Sequence, residues 1–273
     1  MNLRAWRNKY LPVAQLHRRW QKGLSWTLQM AFRRYHRRVF WGDRMLTLDK
    51  SAGFLDDPRF LEAYKAIRGS HIYDDYDSPH TIAWRLHTLV WAAQRAVDLP
   101  GDFVECGVFK GDMAWVVTQM VDFGKLPKQF YLYDTFAGFS RKYSSPADYP
   151  DSGGFFDFAD NVYKDETIYP TVVEKFRDLT NVRIIRGVVP DSFAEALPER
   201  IAYLHIDLNS PAAEIAALEV LFDRVVAGGV IVFDDYGWYL FRKQKEAEDA
   251  FFAARDYRVL ELPTGQGLVV KHN

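Results

Sequence analysis

Cysteine is almost absent from this sequence: Cys106 is the only one in 273 residues. That excludes an intramolecular disulfide and suits a reducing compartment. Long hydrophobic runs are missing as well. No stretch approaches the roughly 20 apolar residues of a membrane span, and the N-terminus lacks the apolar core and small-residue cleavage site of a secretory signal. A soluble, cytoplasmic body is therefore expected. Acids are missing from residues 1–42, which nonetheless carry Arg4, Arg7, Lys9, Arg18, Arg19, Lys22, Arg33, Arg34, Arg37 and Arg38. The remainder is acidic, so the formal net charge of −1 hides two opposed regions. No internal repeat or low-complexity tract appears outside the basic stretch.

Apolar residues from Leu11 to Phe40 recur as Val13, Leu16, Trp20, Leu24, Leu28, Ala31, Tyr35 and Val39. These steps of three or four predict a basic amphipathic helical arm over residues 1–55. Such an arm either packs on its own body or on a second copy of the chain, or lies at an anionic membrane surface, here the inner face, with Trp6, Trp20 and Trp26 as anchors. No binding motif accompanies the charge, which argues against nucleic acid. Residues 56–100 read as a helical lead-in, with stripes Phe60, Tyr64, Ile67 and Ile82, Leu86, Leu89, Val90, Ala93. The polar stretch His71–Pro79 between them reads as a loop.

From Gly101 onward short apolar runs alternate with helical segments. The runs are 103–106, 130–133, 182–185, 201–206 and 230–233, and the helices fall near 113–123, 171–179, 212–226 and 244–255. This alternation predicts right-handed βαβ units and an α/β, Rossmann-like domain over residues 101–273. Two last runs, 257–262 and 267–271, flank Pro263-Thr-Gly-Gln266 and suit an antiparallel hairpin. Together they predict a mostly parallel seven-stranded sheet with helices on both faces.

Glu105-Cys-Gly107-Val-Phe-Lys110-Gly111 follows the first of these strands and opens a helix. Glycines let backbone approach a ligand, and a helix N-terminus offers free N–H groups. A dinucleotide loop would read G-x-G-x-x-G. The spacing here is E-x-G-x-x-x-G, which argues against a nicotinamide-dependent dehydrogenase and resembles motif I of class I S-adenosylmethionine-dependent methyltransferases. That donor carries an ammonium and a sulfonium, for which Glu105 is a partner. Asp134 ends the next strand, where an acid accepts ribose hydroxyls. Gly107, Lys110 and Gly111 complete the expected cofactor loop. Asp191 and Ser192, after the third strand, fall near the expected adenine edge, although Asp191 also reads as a helix N-cap.

Asp207 ends the fourth strand and Asp234-Asp235 end the fifth. In a parallel sheet these three carboxylates converge on the edge where ligands bind, and their mutual repulsion calls for a cation. Mg²⁺, or another hard divalent ion, prefers such oxygens. It would activate an acceptor hydroxyl, with Asp207 or His205 taking the proton. The long segment 143–169, rich in Tyr, Phe, Pro and Asp, reads as a lid over the acceptor. Tyr236 and Trp238 read either as packing residues or as faces for a sugar to stack on. Arg85 and His87 read as structural residues or as partners of the cofactor carboxylate.

Asp102-Phe-Val-Glu-Cys-Gly-Val108, Tyr133-Asp-Thr-Phe-Ala-Gly138 and Gly228-Gly-Val-Ile-Val-Phe-Asp-Asp-Tyr236 resemble the macrocin O-methyltransferase family, also called TylF/MycF/NovP-related. Its members are metal-dependent enzymes that methylate sugar hydroxyls, mostly on glycosylated natural products. The resemblance implies S-adenosylmethionine as donor, Asp207, Asp234 and Asp235 as metal ligands, and Asp207 as base. It implies a small-molecule or saccharide acceptor, and the basic arm adds a membrane-associated or polysaccharide-linked sugar as an alternative. One departure stands out. The family's Asp-Gly-Asp-x-Tyr stretch is Asp207-Leu-Asn209-Ser-Pro211 here, keeping the first acid and losing the second.

Overall fold

The computed structural model of the chain describes residues 38–67, 81–150 and 154–272, together with positions 27, 30, 31 and 34. Most of the basic arm and the 71–79 loop lie outside the described residues. The chain divides into two compact units, 1–84 and 85–273. Among the described residues no helix is long and apolar enough to cross a membrane.

In the first unit, β1 (Val39–Gly42) and β2 (Met45–Leu48) pair antiparallel. Asp43 and Arg44, with φ of 50° and 57°, make the turn between them. Positive φ at both central residues twists a two-residue hairpin to match its strands. Val39 and Phe40, the end of the predicted helical stripe, therefore lie in a strand. The helix Pro58–Ile67 buries Phe60, Ala63, Tyr64 and Ile67, the helical spacing that the sequence shows.

The second unit is the expected α/β sheet. Its strands are β3 (Asp102–Cys106), β4 (Phe130–Asp134), β5 (Val182–Arg186), β6 (Ile201–Ile206), β7 (Val225–Phe233), β8 (Leu260–Glu261) and β9 (Gly267–Val270). They lie in the order β5-β4-β3-β6-β7-β9-β8, parallel from β5 to β7 and antiparallel through the terminal hairpin. Val225 and Val226, expected in the preceding helix, instead begin β7. All six residues of β6 are buried, as a central strand covered on both faces requires. Phe103, Phe123, Phe130 and Tyr203 form one aromatic cluster on one face, with ring centroids 5.0–6.1 Å apart. Such pairs contribute about 0.5–1.5 kcal/mol each beyond area burial.

The order reverses between β3 and β6: from β3 the chain moves outward to β4 and β5, then returns to β6 on the other side. That switch point opens a crevice at the carboxyl edge, and the predicted acids and glycines cluster there. The predicted lid holds more structure than a loop. It contains a 3-10 turn at Pro146–Asp148 and a helix at Phe155–Tyr163, and the helix Ile168–Phe176 begins before its end. Residues 151–153 of it lie outside the described residues.

Candidate active site

The glycine loop and the acidic edge touch through backbone. Gly107 has φ +88°, and a Cβ added there would lie 1.9 Å from the Asp207 carbonyl oxygen. Only glycine permits that approach. Gly111 likewise has φ +70° and would drive a Cβ to 2.8 Å from the Phe176 ring. The loop is then fixed from below by Asp134. Its Oδ2 accepts the N–H groups of Val108 (2.7 Å) and Phe109 (2.8 Å), and its Oδ1 accepts that of Phe136 (2.7 Å). Asp134 thus builds the loop, and any ribose contact must share oxygens already holding three donors. Lys110 contributes backbone: its carbonyl accepts Lys175 Nζ at 2.6 Å, while its ammonium sits 5.5 Å from the centroid of the Phe109 ring.

A buried pair stands at this edge. Glu105 and His205 are register partners on β3 and β6, so their side chains share a face. Glu105 Oε2 lies 3.0 Å from His205 Nδ1, and the residues are 1% and 0% exposed. Burial alone would lower the His205 pKa, but the hydrogen bond and charge of Glu105, with the charge of Asp234, outweigh it and raise it. His205 therefore ties two strands together and has no open route to a substrate proton. One oxygen of Glu105 is held by His205 behind the glycine loop.

The three predicted metal acids do come together. Asp207, Asp234 and Asp235 each offer an oxygen, and these lie within 4.8 Å of one another. Burial, then the charges of Asp234 and Asp235, push the Asp207 carboxyl well above the usual carboxylate range, against the pull of Arg85. Asp234 is 1% exposed and fully engaged. Its Oδ2 accepts Arg85 Nη1 at 2.6 Å and its Oδ1 accepts Gln266 Nε2 at 3.0 Å. Arg85 also comes within 3.8 Å of Asp235 Oδ1.

Comparison with known proteins decides the family. The macrocin-O-methyltransferase (TylF) family model matches residues 81–259. The chain belongs to the TylF macrocin-O-methyltransferase family. It is an S-adenosylmethionine-dependent O-methyltransferase, and the nicotinamide reading falls. Solved structures share the fold at low identity. The O-methyltransferase NovP matches with TM-score 0.60 and 20% identity, covering 82% of this chain and 100% of NovP. The calicheamicin methyltransferase CalS11 matches with TM-score 0.57 and 16% identity, over 81% and 93% of the two chains. A caffeoyl-CoA O-methyltransferase from Staphylococcus aureus, described as putative in its own name, matches at 0.53 and 10%, over 80% and 95%. No curated protein sequence matches.

Other residues around this methyltransferase site narrow what the sequence leaves open. Asp191 is not an N-cap but the first residue of a short 3-10 turn, Asp191–Ala194. Both its oxygens accept Lys142 Nζ at 2.8 Å, and Tyr143 Oη reaches it at 3.2 Å. Ser192 Oγ is buried without a hydrogen-bond partner among the described residues, as a pocket awaiting a polar ligand atom would leave it. Tyr236 is a packing residue, its hydroxyl held by Asp249 and Lys245. Trp238 lies under the Arg85 guanidinium, which is 5.7 Å from the ring centroid. Arg85, which reads from the sequence as a structural residue or a partner of the cofactor carboxylate, is an ion-pair partner of Asp234. Gln266 gave no signal, and Asn209 showed only as a missing acid.

The insertion supplies Tyr163, whose ring packs 5.2 Å from Phe109 and 5.4 Å from Phe139. Burial, followed by the charges of Asp207, Asp235, Asp134 and Asp234, raises its hydroxyl pKa. It therefore stays protonated beside both halves of the site.

Proposed function

We propose that this methyltransferase is assisted by a divalent metal and transfers its methyl group to a hydroxyl of a saccharide or glycosylated acceptor. The carrying observation is the carboxylate triad Asp207, Asp234 and Asp235, within 4.8 Å, touching the Gly107 turn. Oxygens of one octahedral ion at 2.0–2.1 Å lie at most about 4.2 Å apart, and those of a larger ion at 2.3–2.6 Å at most about 5.2 Å, so a span of 4.8 Å suits a larger hard cation as it stands and Mg²⁺ once the acids close by about half an ångström. Bound there, Mg²⁺ would supply Lewis acidity that lowers the pKa of an acceptor hydroxyl, at about 1.4 kcal/mol per unit.

The chain's own residues supply the rest. The loop held by Asp134 presents the donor; Gly107, Lys110, Gly111, Asp134 and Ser192, with Glu105 behind them, are proposed as its binding residues. Asp191 closes that edge through Lys142. As the oxygen–methyl bond forms and the methyl–sulfur bond breaks, the hydroxyl proton goes to Asp207. Alignment of oxygen, methyl carbon and sulfur contributes roughly 7–11 kcal/mol.

The test is methyl transfer from labelled S-adenosylmethionine to a panel of nucleotide sugars and glycosides, with Mg²⁺ or with EDTA. Transfer to a saccharide hydroxyl that EDTA abolishes is the expected result. Transfer indifferent to EDTA would favour a metal-independent enzyme, a reading to which the Arg85–Asp234 pair at 2.6 Å gives specific support, since it already supplies one cation. For residues 1–42 the proposal is contact with an anionic membrane surface. Equal binding of the full and truncated chains to anionic liposomes would remove it, and a concentration-dependent dimer lost on truncation would assign the arm to self-association.

A further inference from the structure

Asn209 stands where the resembling family carries a second acid, and the structure gives it a definite job. Its Nδ2 lies 2.7 Å from Asp207 Oδ1. Only a donor can sit that close to a carboxylate oxygen, which fixes the amide orientation. An aspartate at the same place would set a fourth carboxylate against Asp207 and could not donate while ionised. Asn209 is 8% exposed and adopts φ +55°, a left-handed conformation that asparagine tolerates better than most residues.

The loop around it is held from both sides. Tyr149 of the insertion, 2% exposed, donates its hydroxyl to the Asn209 carbonyl. Ser210 Oγ donates to the Tyr143 carbonyl at 2.7 Å. From below, Glu214 Oε1 accepts the Leu208 N–H at 3.1 Å. A continuous chain of contacts therefore runs from the insertion through Asn209 to one oxygen of Asp207.

We propose that Asn209 is a positioning residue: it orients Asp207 toward a divalent cation and couples that orientation to the insertion through Tyr149. This rests on the metal reading above. Hydrogen-bond partners of metal-ligating groups typically change metal affinity by 10–100-fold when removed. Asn209 acts on the carboxylate and not on the cofactor loop, so its loss should separate the two affinities.

The test uses the full chain and Mn²⁺ binding followed by electron paramagnetic resonance, alongside calorimetric binding of S-adenosylhomocysteine. Asn209→Gly keeps the positive φ without strain and deletes only the amide. It is expected to weaken Mn²⁺ binding by roughly tenfold or more while S-adenosylhomocysteine affinity and the melting temperature hold. Tyr149→Phe, which releases the Asn209 carbonyl, is expected to weaken Mn²⁺ binding a few-fold, and serves if the glycine variant does not fold. Wild-type Mn²⁺ affinity in both variants would overturn the inference while leaving the metal site intact. Parallel loss of S-adenosylhomocysteine affinity would also overturn it, by assigning Asn209 a general structural role. No Mn²⁺ binding by the unaltered chain would overturn the metal reading itself and this inference with it.

Discussion

The two halves of this site are built by different forces. On the donor side, Asp134 is held by three backbone N–H groups from neighbouring turns. On the other side, Asp207, Asp234 and Asp235 are gathered by charge, with Arg85 as the cation pairing with them. A carboxylate wrapped in amides is satisfied whether or not a ligand is present. Three carboxylates and one guanidinium are not, and a divalent ion would bring that group to neutrality. The donor half should therefore be indifferent to metal, whereas the other half should respond to it.

The largest effect is expected where the halves meet. Gly107→Ala forces a Cβ to 1.9 Å from the Asp207 oxygen at φ +88°, so destabilisation above about 4 kcal/mol is expected in chemical denaturation. A stable alanine variant would show that the two edges are not locked through this turn. Arg85→Met comes next. It strands Asp234, 1% exposed, beside two other acids, and breaking such a buried pair costs about 3–5 kcal/mol. Millimolar Mg²⁺ should restore part of that loss, because binding to the folded state stabilises it.

Asp134→Ala removes the acceptor of three N–H groups and should cost about 2–3 kcal/mol. Here Mg²⁺ should restore nothing, and S-adenosylhomocysteine affinity should fall with the loop. Metal rescue of this variant, or its absence in Arg85→Met, would erase the contrast.

A smaller effect lies behind the Asp207 loop. Glu214 and Glu248 are fully buried between the helices Pro211–Leu221 and Arg242–Ala253. Burial raises Glu248 from 4.5 to about 7. A carboxyl raised in the folded state contributes stability that is present below the unfolded value and is lost as pH rises through the folded one. Stability should thus decline between about pH 4.5 and 7. Glu248→Gln should flatten that decline by on the order of 2 kcal/mol, read from denaturation at several pH values.

The sheet was legible because its strands are short apolar runs separated by helical periods, and the triad because parallel strands that end in acids must present them at one edge. What those acids touch was not legible. Asp134 reads as a ribose ligand until the φ values at Gly107 and Phe109, +88° and +47°, aim two N–H groups back at it. Arg85 lies 149 positions from Asp234, on a helix whose orientation no local pattern encodes. His205 could be read as a base because only register and burial reveal Glu105 beside it. Asn209 looked like a loss, since a motif records which acid is missing and not which donor replaced it.

Titrating Mg²⁺ into the chain by calorimetry, with S-adenosylhomocysteine bound, tests the charge-built half most directly. One ion per chain is expected in the unaltered protein, and Asp207→Asn should abolish its binding without displacing S-adenosylhomocysteine. Absence of Mg²⁺ binding in the unaltered chain, or full retention of it in Asp207→Asn, would contradict the account.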